Sequence, residues 1–178
     1  MARIRWLVCA MALACAAPAL GASQMPASVP RIRPLGESAA LALQRGIAHS
    51  PTFRDLAARL ERSDVVVYIG IAPRSPGKCP GATRFVGASK YFRFLHIELD
   101  RKQAPKAMIA LLAHEMQHAL EVAEAPGIRD IDAFRQYYEE HGFRTEQLDT
   151  FDSRAARETG RRVRAELATT APDFTSGG

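Results

Sequence analysis

The chain has 178 residues, with 24 Lys and Arg against 19 Asp and Glu, for a formal net charge of +5. That length allows one domain with a modest core, and so small an excess of positive charge gives no reason to expect nucleic acid or anionic lipid as partner. Its three cysteines are too few for a disulfide framework once their positions are considered.

Arg3 and Arg5 precede an apolar run from Trp6 to Ala17, and Ala19-Leu20-Gly21 forms a small-x-small cleavage site before Ala22. Residues 1–21 therefore read as a secretory signal peptide, too short for a stable membrane span, and the mature protein is expected in the periplasm or outside the cell. Ala12-Leu13-Ala14-Cys15 loosely resembles a lipobox, so lipoprotein anchoring at Cys15 is the lesser alternative. Cys9 and Cys15 leave with the signal, and Cys79 then lacks an intrachain disulfide partner. Residues 22–34 read as a flexible lead, 35–168 as the folded domain and 169–178 as a disordered tail.

Within the domain, Glu37 to Ala48 has helical periodicity, and Ser50-Pro51 is an N-cap and first-turn pair for a second helix with Phe53, Leu56, Ala57 and Leu60 on one face. His49, at the boundary between the two, reads as capping. Val65 to Ile71 is a β-branched run suited to a buried strand. Pro73 to Lys90, rich in Gly, Pro and basic residues, reads as a long loop with a short strand at Thr83 to Val86. Tyr91 to Leu99 is the next strand, and His96 on it is a candidate to line a cleft. Helices are expected at Ile131 to His141, closed by Gly142, and at Phe151 to Leu167. Arg154, Arg157, Arg161, Arg162 and Arg164 on the last helix read as a solvated face.

The chemistry centres on the apolar helix that opens near Pro105 and contains His114-Glu115-Met116-Gln117-His118. Histidines four apart lie one helical turn from each other, so both imidazoles can reach one metal ion, while Glu115 sits one residue round, able to touch a water on that ion without ligating it. The bland alternative is a buried helix whose histidines are satisfied by hydrogen bonds, but a pair at this spacing with a glutamate between them favours the metal site.

A catalytic zinc wants three protein ligands and one open position. In the H-E-x-x-H-x-x-G-x-x-H arrangement the turn glycine and third histidine would fall at Glu121 and Glu124, so that pattern is rejected. A carboxylate from later in the chain remains. Projected as a helix, Phe151 to Leu167 buries Phe151, Ala155, Ala156, Thr159, Val163 and Leu167, with Asp152 near the middle of that face and Glu158 at its margin. Asp152 is the leading third ligand and Glu158 the alternative, followed by Glu139 and Glu140; Asp149 and Asp152 also suit an N-terminal capping role.

At His114, Glu115 and His118 the sequence resembles the zincin metallopeptidases, in particular the gluzincin-like branch, whose acidic third ligand sits on a later helix. Asp152 would be a shorter substitute for the glutamate usual there. The resemblance implies an α+β domain with a short mixed or antiparallel sheet packed on the metal helix and further helices C-terminal to it. It also implies an edge strand, here Tyr91 to Leu99, that pairs with extended substrate. The activity implied is zinc-dependent peptide hydrolysis with Glu115 as general base. Tyr137, Tyr138 and His141 are candidates to stabilise the oxyanion, though packing roles suit each of them better; Glu121, one turn from His118, is a candidate to orient that histidine. The alternative is a non-catalytic envelope binding protein that keeps a zinc site on the same scaffold. The partner expected for the enzyme is a peptide or protein substrate, with a second protein or a dimer completing a cleft that so small a domain walls poorly.

Overall fold

The computed structural model describes residues 29–73, 79–145 and 151–169. The expected signal peptide with Cys9 and Cys15, residues 22–28 of the expected lead, Asp149 and the tail from 170 lie outside the described residues. The described elements run β1 (Ile32–Leu35), α1 (Glu37–His49), α2 (Pro51–Glu61), β2 (Val65–Ala72), β3 (Gly81–Ala88), β4 (Arg93–Asp100), α3 (Pro105–Glu124), α4 (Ile131–His141), β5 (Phe143–Arg144), β6 (Phe151–Asp152) and α5 (Arg154–Ala168). The class is mixed α+β.

The main sheet has strand order β1-β2-β4-β3, with β1, β2 and β4 parallel and β3 antiparallel to β4. Its inner face is set by strand alternation: Val65, Val67 and Ile69 of β2 and Leu95, Ile97 and Leu99 of β4 are buried, and they join Ile109, Leu112, Ala113 and Met116 of α3 in the core. The helix that carries His114 and His118 is thus packed along the sheet, and α5 packs against it as well.

Local signals account for several elements. The Ser50 hydroxyl accepts the Phe53 N–H at 3.0 Å and Pro51 occupies the first turn of α2, as expected. Other features are tertiary. β1 begins at Ile32, inside the stretch expected to be a flexible lead, because the Glu61 carboxylate accepts the backbone N–H groups of Arg31 and Ile32 at 2.9 and 3.1 Å. Arg93 is buried at the start of β4, where it forms a bidentate pair with Asp64 and donates to the carbonyls of Val122, Ala123 and Ala125 at the end of α3. Carbonyls at a helix end have no i+4 N–H to accept from. Although the Ala125 and Ile128 N–H groups already donate to Val122 and Ala125, Arg93 adds a charged donor to all three carbonyls and closes the C-terminus of the helix that carries the histidines.

Three expectations need correction. The Pro73–Lys90 segment contains a full strand, β3, in place of a mostly irregular loop. β3 is the edge strand, whereas the strand expected over Tyr91 to Leu99 lies between β2 and β3 and has no edge to offer. His96 is paired in register with Tyr68 on the sheet face opposite α3, because residues alternating with buried Leu95 and Ile97 must point away from them. It lines no cleft with the histidine pair. Among the described residues, no helix is long and apolar enough to cross a membrane.

Candidate metal centre

His114 and His118 project from the middle of α3, with ring centroids 5.0 Å apart and nearly perpendicular planes. Asp152 meets them from the far end of the chain: its Oδ1 lies 3.3 Å from His114 Nε2 and 3.6 Å from His118 Nε2. These are the residues that offer one donor atom each within 4.8 Å of one another. The spacing can be compared with what a cation requires. Ligand atoms about 2.0–2.1 Å from a tetrahedral ion stand roughly 3.3–3.4 Å apart, and two imidazole nitrogens with one carboxylate oxygen form a common donor set for such an ion. The two separations from Asp152 Oδ1 are near that edge length and all three donors lie within 4.8 Å of one another, so the three residues could hold a metal ion.

Asp152 arrives by a route other than the helical one expected. α5 starts at Arg154 with Ser153 as its N-cap, so Asp152 lies before the helix, in β6, paired with Phe143 of β5. Its inward aim comes from neighbours: the Ser153 N–H donates to Oδ1 at 2.7 Å and Arg157 Nε donates to Oδ2 at 2.7 Å. Burial opposes ionisation here, but the hydrogen bonds from His118 and Arg157 outweigh it and hold the carboxyl below its ordinary range. The alternative ligand, Glu158, is half exposed and paired with Arg161 and Arg162 on the outer side of α5. Glu139 pairs with Arg144, and Glu140 accepts from Gln136. None of these three acids approaches the imidazoles, because each sits on the solvent side of its helix.

A carboxylate orients the second histidine. Glu121 Oε2 lies 3.0 Å from His118 Nδ1 and accepts the Tyr138 hydroxyl at 2.9 Å, while Oε1 accepts the Ser153 hydroxyl. Burial works against ionisation of Glu121, but these bonds outweigh it and keep the carboxylate charged. An ionised carboxylate only accepts, so Nδ1 donates and Nε2 is turned toward Asp152. Tyr138 is buried, with its ring edge-on to His118 at 5.3 Å; it is a support for Glu121 and no oxyanion donor. Tyr137 stacks on His141 at 4.5 Å between centroids.

The two imidazoles differ in charge. Burial, aided by the neighbouring His118, holds His114 down to about 4, so it is neutral. Burial also penalises a charged His118, yet hydrogen bonds to Asp152 and Glu121 prevail and lift it to about 9. In the absence of a cation, a proton on His118 balances the two carboxylates.

Glu115 is nearly fully buried, and burial pushes its carboxyl up. The Thr83 hydroxyl of β3 lies 2.8 Å from Oε2. Gly81 on the same strand is required by this approach, since a Cβ there would stand 2.6 Å from Glu115 Oε1. Glu115 lines a cleft of about 380 Å³ together with His114, His118, Asp152, Thr83 and Cys79. Thr83, Ser153, Arg157 and Cys79 were not recognised as site residues in the sequence. Only the alternation of β3 could have pointed to Thr83, and the others are brought in by tertiary contacts. No protein-family model matches the chain, and no curated protein or solved structure does either.

Proposed function

We propose that the protein is an exported zinc-dependent metallopeptidase. The observation that carries this reading is one cleft that combines three donor atoms within 4.8 Å of one another with a buried carboxylate beside them that is not one of the three. His114, His118 and Asp152 would hold the ion. When bound, zinc supplies Lewis acidity, polarising a scissile carbonyl and making water acidic enough to attack it near neutral pH.

The chain's own residues do the rest. Glu115, raised by burial and next to the cleft, is suited to take a proton from the attacking water at its Oε atoms and return it to the leaving amine. Thr83 holds that carboxylate in one orientation. Glu121 keeps His118 Nε2 aimed at the ion, and Arg157 fixes the outer oxygen of Asp152 so that Oδ1 faces inward. β3, as the edge strand whose first residues line the same cleft, offers backbone groups on one side for pairing with an extended peptide. This reassigns to β3 the role expected of Tyr91 to Leu99. A mixed sheet with an antiparallel edge strand beside the H-E-x-x-H helix supports a zincin-like arrangement. The leader read in residues 1–21 is the basis for export.

A binding protein with a purely structural ion would have no use for a carboxylate buried beside the donors, which favours the enzyme over that alternative. The test is metal analysis with peptide hydrolysis. Near-stoichiometric zinc is expected in wild type, Glu115→Gln and Glu158→Ala, and its loss in Asp152→Ala; hydrolysis is expected to vanish in Glu115→Gln with zinc retained. Zinc in wild type without hydrolysis across a broad peptide library would establish the binding protein instead.

A further inference from the structure

A second depression adjoins the metal cleft. It is a groove of about 930 Å³ between α3 and α5, with Pro80, Leu111 and His114 shared between the two. Ala107, Ala110 and Leu111 give it an apolar floor. One wall carries Arg154, Arg157, Arg161 and Arg164, which recur at three- and four-residue intervals along one side of α5 over about 15 Å. Gly160 lines the groove where α5 comes close to α3: a Cβ at that position would already be 3.3 Å from Ala110 O and from His114 Cβ. The arginine face is solvent-exposed, as expected from the sequence, and four of its five arginines also form a cationic wall beside the metal cleft.

The arginines are not equivalent. Arg157 is engaged by Asp152 and lies 4.2 Å over the Phe143 ring, so it is a positioning residue for the metal ligand. Arg161 pairs with Glu158 at the exposed rim. Arg154 and Arg164 make no hydrogen bond or ion pair among the described residues. Two guanidinium groups without partners, in a groove with no carboxylate among its described lining residues, leave a positive field, and such a field attracts and orients anionic groups. The apolar floor suits the methylenes of an acidic side chain better than a fully charged polymer.

We propose that this groove is the subsite for acidic side chains of the peptide substrate, read by Arg154, Arg161 and Arg164. The assignment rests on the peptidase reading for the identity of the ligand as a peptide. Arginine supplies a forked donor that meets a carboxylate through two parallel bonds, and rim-exposed pairs of this type are individually weak, so the preference comes from several acting together and is salt-dependent.

The test uses the zinc-loaded full chain carrying Glu115→Gln, which binds without turnover, and a fluorescein-labelled Glu-Ala repeat octapeptide beside its Gln-Ala counterpart. Each is prepared with a free and with an amidated C-terminus, to separate side-chain carboxylates from the terminal one. Anisotropy titration is expected to show the acidic peptide binding about tenfold or more tightly at 50 mM NaCl, irrespective of C-terminal amidation, with the gap shrinking at 300 mM. Adding Arg154→Gln, Arg161→Gln and Arg164→Gln should bring the acidic peptide to the level of its amide counterpart, whereas Arg→Lys at the same three positions should keep most of the preference. Zinc content and circular dichroism monitor the fold of both triple variants.

Equal binding of the two peptides, binding of neither, a preference that survives the Gln triple variant, or tighter binding of a labelled oligothymidine would each overturn the proposal. Wild-type zinc protein provides the separation from the parent reading. Hydrolysis of the Gln-Ala peptide with no acidic preference refutes the groove alone. Acidic preference with no hydrolysis of any peptide leaves an acidic-peptide binding groove and refutes the peptidase.

Discussion

Glu121→Gln isolates the carboxylate that organises the centre while leaving all three proposed ligands in place. Three donors converge on Glu121: His118 Nδ1 at 3.0 Å, the Tyr138 hydroxyl at 2.9 Å and the Ser153 hydroxyl. The ionised carboxylate accepts from all of them. An amide of the same shape carries no charge and must turn its NH2 to one side: toward Ser153 the hydroxyl can rotate to accept it, whereas toward His118 it faces the Nδ1–H. If His118 loses its partner, its ring is free to rotate and Nε2 no longer waits opposite Asp152. Loss of such an orienting carboxylate costs about 10–100-fold in metal affinity, or roughly 1.4–2.8 kcal/mol. Competition with a chromophoric chelator at pH 7.5 measures this directly. Thermal melting of the zinc-free forms reports the structural part, expected to be about 1–3 kcal/mol for a buried donor left unsatisfied. Zinc affinity within twofold of wild type would refute the claim that Glu121 orients a ligand, and a fall in melting temperature without that loss would reduce Glu121 to a strut between α3, α4 and α5.

Arg93→Met should destabilise by about 3–5 kcal/mol in urea titration, because it strips a partly buried Asp64 of its bidentate partner and opens the end of α3; a loss below about 1 kcal/mol would show that Arg93 does not close that helix. Gly160→Val should cost about 1–3 kcal/mol and weaken zinc binding as well, since the added branch meets Ala110 and His114; unchanged zinc affinity would mean that α5 yields without moving His114. In the zinc-free protein, His118 is raised from its usual 6.5 to about 9 in the fold, so its stabilising contribution is complete below pH 6.5 and is lost as pH rises through 9. His114, lowered to about 4, contributes fully above pH 6.5 and loses that contribution as pH falls through 4. The combined contribution of the two histidines to zinc-free stability should therefore be largest near pH 6.5. Saturating zinc should abolish the decline between pH 6.5 and 9, and a flat zinc-free profile over that window would show that His118 carries no extra proton.

How far the site could be read from the chain depends on the distance over which each part is specified. The helix bearing His114, Glu115 and His118 follows from Pro105, a run of apolar residues and a one-turn spacing, all within twenty residues of sequence. Asp152 was reached through a helix that starts two residues too late to contain it. Its inward direction depends on the β5–β6 pairing and on Arg157 and Ser153, none of which a helical projection can represent. Only Thr83 to Val86, the middle of β3, looks like strand in the sequence; the ends look like loop because an edge strand gains its extended form from β4, and because Gly81 answers to a carboxylate thirty-four residues away in the chain. β1 similarly looks like flexible lead until Glu61 is brought to its backbone. The arginines of α5 illustrate the limit from the other side: periodicity puts them on one exposed face, but that this face also borders a groove follows only from how α5 packs on α3. A helix can present two imidazoles and a base by local rules alone. A third donor near them, a carboxylate bonded to His118 and an arginine-lined groove beside them depend on where α4, β3 and α5 pack, which no local stretch of the sequence specifies.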